Sequence, residues 1–402
     1  MVWIYSLLGG PASSGAAAFN GRLRWMNVTR IRLRNFRNHD DTTVEFGESL
    51  NVLLGGNGQG KTNILEAISF LCLTKSFYAA GDSIVLQIGK DYFDVEGTIV
   101  ADSGIEHTVR VAYQKSSEEK QVAINHARPE TLASVIGRFP IVVLSPENNG
   151  ITFGAPSDRR KFIDLTLSQL STSYFADLLE YRKVVRQRNR VLAEARLRAE
   201  ISLDLIDPWT VGVAKIGGRI MLRRKQFIDE LTPYVTSAHR KMAQNGETPQ
   251  LKYIPSCSCN GWTDAESISM ALDSEIRKRM PDEIQRGLTL VGPHRDELGM
   301  TLDGISVQKY ASQGQHKTLL VALKVAEFLF LRERRNEIPV FLLDDVFSEL
   351  DERRVRSLLE LIGSLGQTVI TATEASVFHD TARWNEGRHR RFRVESGTCQ
   401  PE

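Results

Sequence analysis

A glycine-rich segment followed by lysine and threonine constrains the fold of this 402-residue chain more than any other feature. Residues 55–62 read Gly-Gly-Asn-Gly-Gln-Gly-Lys-Thr and fit the pattern G-x-x-x-x-G-K-[ST]. An apolar stretch, residues 51–54, precedes the pattern, and the helical-looking residues 63–68 follow it. Strand, loop and helix in that order are the setting in which this pattern cradles phosphate groups. The sequence therefore predicts an α/β fold built around a phosphate-binding loop.

The chemistry of the loop predicts a bound nucleotide, ATP, together with Mg²⁺. Glycines let the backbone turn tightly and direct N–H groups at phosphate oxygens, and the following helix adds the positive end of its dipole. Lys61 can reach the β- and γ-phosphates and is predicted to be catalytic, and the Thr62 hydroxyl can bind the metal. A chance match in a glycine-containing loop is the alternative. The residues predicted to bind ATP here are Gly55, Gly56, Asn57, Gly58, Gln59, Gly60, Lys61 and Thr62.

A second apolar stretch, residues 340–343, ends in two carboxylates, Asp344 and Asp345. It is too apolar for an exposed strand, so we expect it in a buried sheet whose carboxyl edge carries ligands. Asp344 is predicted to bind the metal together with Thr62. Asp345 is predicted to orient or deprotonate the attacking water. The alternative is that the pair merely caps the helical segment that follows.

Residues 312–315, Ser-Gln-Gly-Gln, open a strongly amphipathic helix between these two features. A serine and a glycine at a helix N-terminus form a second anion site, so Ser312, Gly314 and Gln315 are predicted to contact ATP. One nucleotide needs one cradle. The second cradle therefore suggests a dimer that sandwiches ATP between the loop of one subunit and the serine helix of the other. Ser312 as an ordinary helix cap is the alternative.

Together the three features are the parts of an ATPase head of the ABC type, and the rest of the chain predicts two additions to it. Apolar and polar residues alternate at 30–34 and 43–47 and again between 93 and 124, which is typical of antiparallel strands. Residues 139–144 predict a buried strand. From Ser157 to about Gln285 the period is mostly helical, without the sustained heptads of a coiled coil. The α/β pattern resumes at residues 288–293.

These patterns predict three regions. Residues 26–150 and 288–402 form the ATPase head with its antiparallel β-subdomain, and residues 151–287 form an inserted helical lid domain. In residues 1–25, the stretch 11–18 consists of small residues and is low in complexity, and no basic residue precedes the apolar stretch, as a signal peptide would require. We expect them to be a disordered leader or a mis-assigned upstream start.

Charge is informative through its distribution, because the formal net charge of the chain is only +2. The chain contains several runs of basic residues. Runs of this kind are usually solvated surfaces, but they could equally line a path for a phosphate backbone. Positive residues concentrate in the middle third and the tail at Arg159, Arg160, Lys161, Arg182, Lys183, Arg186, Arg188, Arg190, Arg223, Arg224, Lys225, Arg388, Arg390, Arg391 and Arg393.

Cysteine usage and hydropathy bear on the compartment. Four cysteines are too few and too scattered for a disulfide framework, so a reducing cytoplasm is the simplest interpretation. No apolar run approaches the length of a membrane span. We therefore expect a cytoplasmic protein without a membrane partner.

Short motifs between Met26 and about Thr373 resemble those of the RecF family of bacterial DNA-repair ATPases. Several of them are specific to that family rather than shared by all ABC or SMC heads. In chain order they occupy residues 35–38, 55–67, 75–77, 144–147, 154–164, 186–189, 292–298, 312–315 and 342–351.

The resemblance implies an SMC-like ATPase head with a short helical lid, ATP-dependent dimerisation and weak, DNA-dependent ATP hydrolysis used as a switch. It further implies binding to single- and double-stranded DNA, especially near single-strand gaps. The implied roles are in DNA replication, DNA repair and the SOS response, where the protein works with RecO and RecR to help load the recombinase RecA.

The chain departs from the expected pattern at two places. The RecF family often carries arginine after Lys-Ser-Phe, where this chain has Tyr78. Many ABC heads place a γ-phosphate-sensing histidine at the end of the strand predicted at residues 369–373, where this chain has none. Thr371 or Thr373 is expected to substitute, or the role is absent.

Two other classes of function compete with a DNA-repair switch. The nucleotide-binding subunit of a membrane transporter would have a short helical subdomain without the long arginine-rich insertion. A P-loop nuclease would carry a further carboxylate cluster for two metal ions, which the sequence does not show.

Overall fold

The computed structural model describes residues 25–77, 81–197, 203–243, 246–258, 264–335, 337–347, 352–362, 365–374 and 388–402. The proposed leader up to residue 24, Tyr78, Cys259 and the motif residues 348–351 lie outside the described residues. The chain divides into two compact units. The first falls within Met1–Asn149, Tyr234–Gly246 and Gln313–Glu402, and the second within Gly150–Pro233 and Glu247–Ser312.

The first unit contains two sheets with helices. Its strands are β1 (Asn27–Phe36), β2 (His39–Glu45), β3 (Leu50–Leu54), β4 (Tyr92–Val100), β5 (Glu106–Gln114), β6 (Glu119–Ile124), β7 (Ile141–Leu144), β11 (Val340–Leu343), β12 (Thr368–Ala372), β13 (Arg390–Glu395) and β14 (Thr398–Pro401). Its helices are α1 (Lys61–Leu73), α9 (Gln313–Arg334) and α10 (Glu352–Ile362), with 3₁₀ turns at Asp82–Val85, Leu132–Ser134 and Pro146–Asn149.

The second unit is mainly helical. Its helices are α2 (Gly150–Phe153), α3 (Pro156–Leu170), α4 (Thr172–Leu197), α5 (Asp207–Met242, which continues into the first unit), α6 (Ala265–Lys278), α7 (Met280–Arg286) and α8 (Val307–Tyr310), with a 3₁₀ turn at Leu203–Leu205. Its strands are β8 (Pro249–Ile254), β9 (Glu297–Leu302) and β10 (Ile305–Ser306).

The sheet that carries the nucleotide motifs has the order β14-β13-β3-β12-β11-β7. Its strands pair in parallel except for β14, which is antiparallel to β13. β3, β11 and β12 are buried along their whole length, as expected for strands covered on both faces. The loop after β3 and the carboxylates after β11 therefore emerge at the same edge of the sheet, which confirms the predicted placement.

The second sheet of this unit is antiparallel, with the order β2-β1-β4-β5-β6. Its buried and exposed residues alternate as the sequence predicted. Phe36, Phe70 and Phe93 meet edge to face beneath it, with ring centroids 5.5–5.6 Å apart. Because Phe70 belongs to α1, this cluster fixes the helix that follows the phosphate loop.

The division of the structure differs from the predicted regions at two points. Residues 249–254 form a strand inside the stretch that was predicted to be mostly helical, and β8 pairs antiparallel with β9. Residues 288–293 form no strand, and the second unit continues to Ser312. The sequence did not reveal this, because β8 and β9 lie about forty residues apart and stabilise each other only by pairing.

Three arginines of the basic run in the middle third are buried in ion pairs and are not part of a solvated surface. Arg188 pairs with Glu283 at 2.6 Å, and both side chains are 0% exposed. Arg224 pairs with Asp164 at 2.7 Å, and Arg159 pairs with Glu297 at 2.6 Å. Buried charges require such partners, so these residues hold the second unit together. None of the described helices is long and apolar enough to cross a membrane.

Candidate nucleotide-binding site

The loop between β3 and α1 adopts a backbone that only glycine accepts easily. Gly58 and Gly60 have φ angles of 77° and 111°. A Cβ on Gly60 would lie 2.6 Å from Asn38 Oδ1 and 2.8 Å from His39 Nε2. The pattern therefore requires glycine here for two reasons, the turn itself and the close approach of the residues that support it.

Asn38 and His39, at the turn between β1 and β2, hold the loop through hydrogen bonds. Asn38 Nδ2 donates to Gln59 O over 3.0 Å, and Asn63 Nδ2 donates to Asn38 Oδ1 over 2.8 Å. His39 is fully buried with Nε2 3.1 Å from Gly60 O, and burial lowers its pKa. The role of Asn38 could not be read from the motif at residues 35–38, because its partners Gln59 and Asn63 lie more than twenty residues away along the chain.

Arg37 fastens α1 beside the loop. Its guanidinium makes two hydrogen bonds of 2.8 Å to the carboxylate of Glu66, whose side chain is 1% exposed. Ser76 donates a further hydrogen bond to Glu66. The three motifs at 35–38, 55–67 and 75–77 therefore meet in one hydrogen-bonded cluster. This arrangement fixes the helix N-terminus, the end that carries the positive dipole.

Lys61 lies inside the loop. Its Nζ donates to Gly55 O over 2.6 Å and to Gly56 O over 2.7 Å. Burial lowers the pKa of Lys61, and the nearby Asp345 and Asp344 oppose that shift. The ammonium group is thus held at the loop by weak acceptors, which phosphate oxygens can replace.

Asp344, at the end of β11, meets two threonine hydroxyls. Thr62 Oγ1 and Thr371 Oγ1 each donate to Asp344 Oδ1 over 2.8 Å. Burial raises the pKa of Asp344, and these two hydrogen bonds offset only part of that rise. Thr62 and Asp344, which the sequence predicted as metal ligands, are therefore brought together. Thr371 is the one of the two candidate threonines that reaches the carboxylate, and Thr373 is exposed.

Asp345 has a left-handed backbone with φ of 49° and donates its N–H to Thr371 Oγ1 over 2.9 Å. Together with Ser145 and Lys317 it lines a small cavity of about 20 Å³ at the ends of β7 and β11. That volume suits about one water molecule. The Ser145 hydroxyl is buried and has no hydrogen-bond partner among the described residues, so it can bind such a water. Ser145 is not among the site residues predicted from the sequence.

The predicted second anion site lies at the start of α9. Ser312 is the residue before this helix, which begins at Gln313, and Gly314 lies in its first turn. Gly314 O accepts a hydrogen bond of 2.8 Å from Thr318 Oγ1. Whether Ser312, Gly314 and Gln315 contact ATP stays a prediction, because the contact is predicted to reach the nucleotide of a second subunit.

The residues around the loop fit ATP with Mg²⁺. No described side chain caps the N-terminus of α1, and no acidic residue lies in its first turn, so its N–H groups and dipole can serve phosphate oxygens. The oxygens of Thr62 and Asp344 are the ligand type that Mg²⁺ prefers. A bound Mg²⁺ would neutralise charge that develops on the phosphates.

Comparison with protein families decides the membership of the chain. Residues 27–391 match the family model described as RecF/RecN/SMC N terminal domain. The chain belongs to the RecF family. It is 39% identical to the DNA replication and repair protein RecF of Chloroherpeton thalassium, over 90% of this chain and 99% of that protein. It is 38% identical to that of Salinibacter ruber, over 92% of this chain and 91% of that protein.

Solved structures confirm the fold. The recombination mediator protein RecF of the RecFOR pathway, solved with an ATP analogue, matches with a TM-score of 0.86 and 29% identity over 94% of this chain and 99% of that chain. The structure of RecF with ATP matches with a TM-score of 0.86 and 29% identity, over 96% of this chain and 100% of that chain. An Smc head domain from Pyrococcus furiosus shares the fold, with a TM-score of 0.54 and 14% identity over 94% and 96%. The prediction of an α/β head with an SMC-like architecture and a helical insertion is therefore confirmed.

Proposed function

We propose that the chain is an ATP-dependent DNA-binding protein of replication and recombinational repair that acts at single-strand gaps. The observation that carries this proposal is the cluster of Thr62, Asp344 and Thr371 beside the phosphate loop. It joins the two halves of an ATP site, which lie 282 residues apart, in one hydrogen-bonded group. Related RecF structures solved with ATP and an ATP analogue support the same nucleotide.

In this proposal the loop residues 55–62 bind the phosphates, Lys61 contacts the terminal ones, and Thr62 with Asp344 binds Mg²⁺. Asp345 orients or deprotonates the attacking water, with Ser145 as a second partner for that water. Hydrolysis is weak and depends on DNA, so ATP serves as a switch rather than as a source of continuous work.

ATP closes two copies of the chain into a dimer in the same proposal. Ser312, Gly314 and Gln315 of one subunit complete the nucleotide site of the other. This arrangement gives a use to both helix N-termini that are proposed to bind phosphate, the N-terminus of α1 and that of α9. Since neither subunit then has a complete site alone, dimerisation and ATP binding are linked.

The partners in this proposal are single- and double-stranded DNA, RecO and RecR, and indirectly RecA, in the cytoplasm. The names of the relatives, DNA replication and repair protein and recombination mediator protein of the RecFOR pathway, support this assignment. The exposed cations of α4, such as Arg182 and Arg186, support contact with a phosphate backbone.

Retention on gapped DNA tests the proposal directly. A circular DNA with one single-strand gap is passed over a sizing column with the protein and either ATP, ADP or no nucleotide. We expect co-elution with ATP only, intact DNA, and loss of co-elution in Lys61→Ala. Retention that ignores the nucleotide, or cleavage of the DNA, would contradict the proposal. Faster RecA loading when RecO and RecR are added tests the partners separately.

A further inference from the structure

The second unit contains a cavity of about 440 Å³ that the nucleotide site does not use. One face of α3, residues 157, 160, 161 and 164, and one face of α4, residues 178, 181, 182, 185, 186 and 189, line it. Such facing stripes are usually apolar where helices pack. Here four of the ten positions are cations, namely Arg160, Lys161, Arg182 and Arg186.

The positive charge of this cavity is not neutralised by its own lining. All of the lining residues are described, and Asp164 is the one carboxylate among them. Asp164 is already paired with Arg224 at 2.7 Å. Lys161, Arg182 and Arg186 form no ion pair with a described carboxylate. Clustered cations without counter-charges raise each other's free energy, so an anion that enters the cavity stabilises them.

One part of the cavity wall is uncharged. The Tyr181 hydroxyl donates to His294 Nδ1 over 2.8 Å, and His294 Nε2 lies 3.2 Å from Thr289 O. Burial and the neighbouring arginines lower the pKa of His294 to about 4, so its imidazole is neutral near pH 7. Leu178 and Val185 add apolar surface. A cationic mouth over an aromatic and apolar wall suits a nucleotide better than a bare inorganic ion, and the volume lies in the range of small-ligand sites.

The cavity also gathers motifs that the ATP site leaves unused. Residues 154–164 supply Arg160 and Lys161, residues 186–189 supply Arg186, and residues 292–298 supply His294. These segments are far apart in the chain. Arg224 joins two of them, since it pairs with Asp164 at 2.7 Å and donates to Pro293 O over 2.6 Å. The arrangement is therefore built by the fold.

We propose that this cavity binds one nucleotide unit of a DNA strand, with Lys161, Arg182 and Arg186 contacting its phosphate. Guanidinium groups suit this task because they bind phosphate oxygens through two parallel hydrogen bonds. The inference rests on the proposed DNA-binding function and assigns it a specific pocket. On a single strand each lost phosphate contact lowers the salt dependence of binding by about 0.7 in log–log slope.

The test uses the full chain and a fluorescent oligothymidylate, followed by anisotropy across a salt series. The pocket variant carries Arg182→Glu and Arg186→Glu. Its matched control carries Lys183→Glu and Arg190→Glu, two exposed cations of the same helix outside the cavity. We expect the pocket variant to bind about tenfold or more weakly with a smaller salt slope, and the control to lose about threefold or less. Thymidine monophosphate should compete with the strand under saturating ATP, and thymidine should not.

Equal losses in the two variants, or equal competition by thymidine, would overturn the pocket. If the parent binds the strand and the pocket variant binds it equally well, the proposed role of the pocket is wrong and the proposed DNA binding stands. The reverse result is a parent that ignores the strand but binds the monophosphate, with that binding lost in the pocket variant. It would support the pocket and contradict the proposed DNA binding.

Discussion

The hydroxyl of Thr371 donates a hydrogen bond of 2.8 Å to the carboxylate of Asp344. The same oxygen accepts the N–H of Asp345 over 2.9 Å. One side chain on β12 thus orients both acidic residues at the end of the neighbouring strand β11. The site therefore depends on Thr371, which holds the predicted metal-binding residue Asp344 in place, as well as on Asp344 itself.

Thr371→Val should preserve the shape of the side chain and remove this hydroxyl. Of its two described hydroxyl partners, Asp344 then keeps Thr62, and the N–H of Asp345 loses its described acceptor. We expect ATP hydrolysis to fall about 10- to 100-fold, the usual cost of removing such a supporting group. Steady-state phosphate release measures this, with Thr371→Ser as the control that restores the hydroxyl. A valine variant as active as the parent would show that Asp344 is held by other groups.

Asp345→Asn should bind ATP but hydrolyse it about 10²- to 10⁴-fold more slowly, since the substitution removes the base and retains the shape. Asparagine also accepts the left-handed backbone found at this position. The variant should accumulate as an ATP-bound dimer in analytical sedimentation. Unchanged turnover would mean that another residue positions the water.

Lys61→Ala should weaken ATP binding, because it removes the cation that faces the terminal phosphates. Titration with a fluorescent ATP analogue measures the affinity with and without Mg²⁺. Gly58→Ala is a useful comparison, since a Cβ there meets no atom within 4 Å and strains only the backbone. Equal ATP affinity in Lys61→Ala and the parent would remove this lysine from the site.

The features that could be predicted from the sequence are those whose evidence is local. The loop at residues 55–62 carries its own turn residues, and the strand before Asp344 shows its burial through an unbroken apolar run. Alternation in β1, β2 and β5 likewise reports which face of the antiparallel sheet is buried. In each case one short segment contains the whole pattern.

The features that escaped prediction depend on partners far apart in the chain. Arg188 and Arg224 resemble their exposed neighbours in sequence, and only Glu283 and Asp164 make them buried structural residues. Thr371 gains its role from Asp344 on the adjacent strand. Charge and periodicity along the chain contain no signal for such pairings.

Glu283→Gln should destabilise the second unit, because it leaves the fully buried Arg188 without a counter-charge. Glu283 also accepts the N–H of Leu290 over 2.7 Å, so its loss affects a second contact. Removing one member of a buried ion pair costs about 3–5 kcal/mol. Urea unfolding followed by circular dichroism should show a lower midpoint.

The control for this prediction is Glu194→Gln, which breaks the exposed pair with Arg190 and should cost about 0–1 kcal/mol. Similar stability of the Glu283 and Glu194 variants would mean that the buried pair contributes no more than a surface pair.

Ser312→Arg tests whether the start of α9 serves the nucleotide of a second subunit. A bulky side chain at this helix N-terminus should block the close approach of a γ-phosphate bound to the partner. We expect ATP binding by the monomer to be nearly unchanged and ATP-induced dimerisation to be abolished. Sedimentation with and without ATP separates these two properties.

Mixing the Ser312→Arg and Lys61→Ala variants sharpens the test of the shared site. At most one composite site can form, from the loop of the Ser312 variant and the serine of the Lys61 variant. Partial ATP-dependent dimerisation in the mixture, but not in either variant alone, is therefore the expected result. DNA retention should fail together with dimerisation, because two linked heads bind the strand with a higher effective concentration than one. If Ser312→Arg dimerises like the parent, Ser312 is only the cap of α9 and the sandwich arrangement is wrong for this chain.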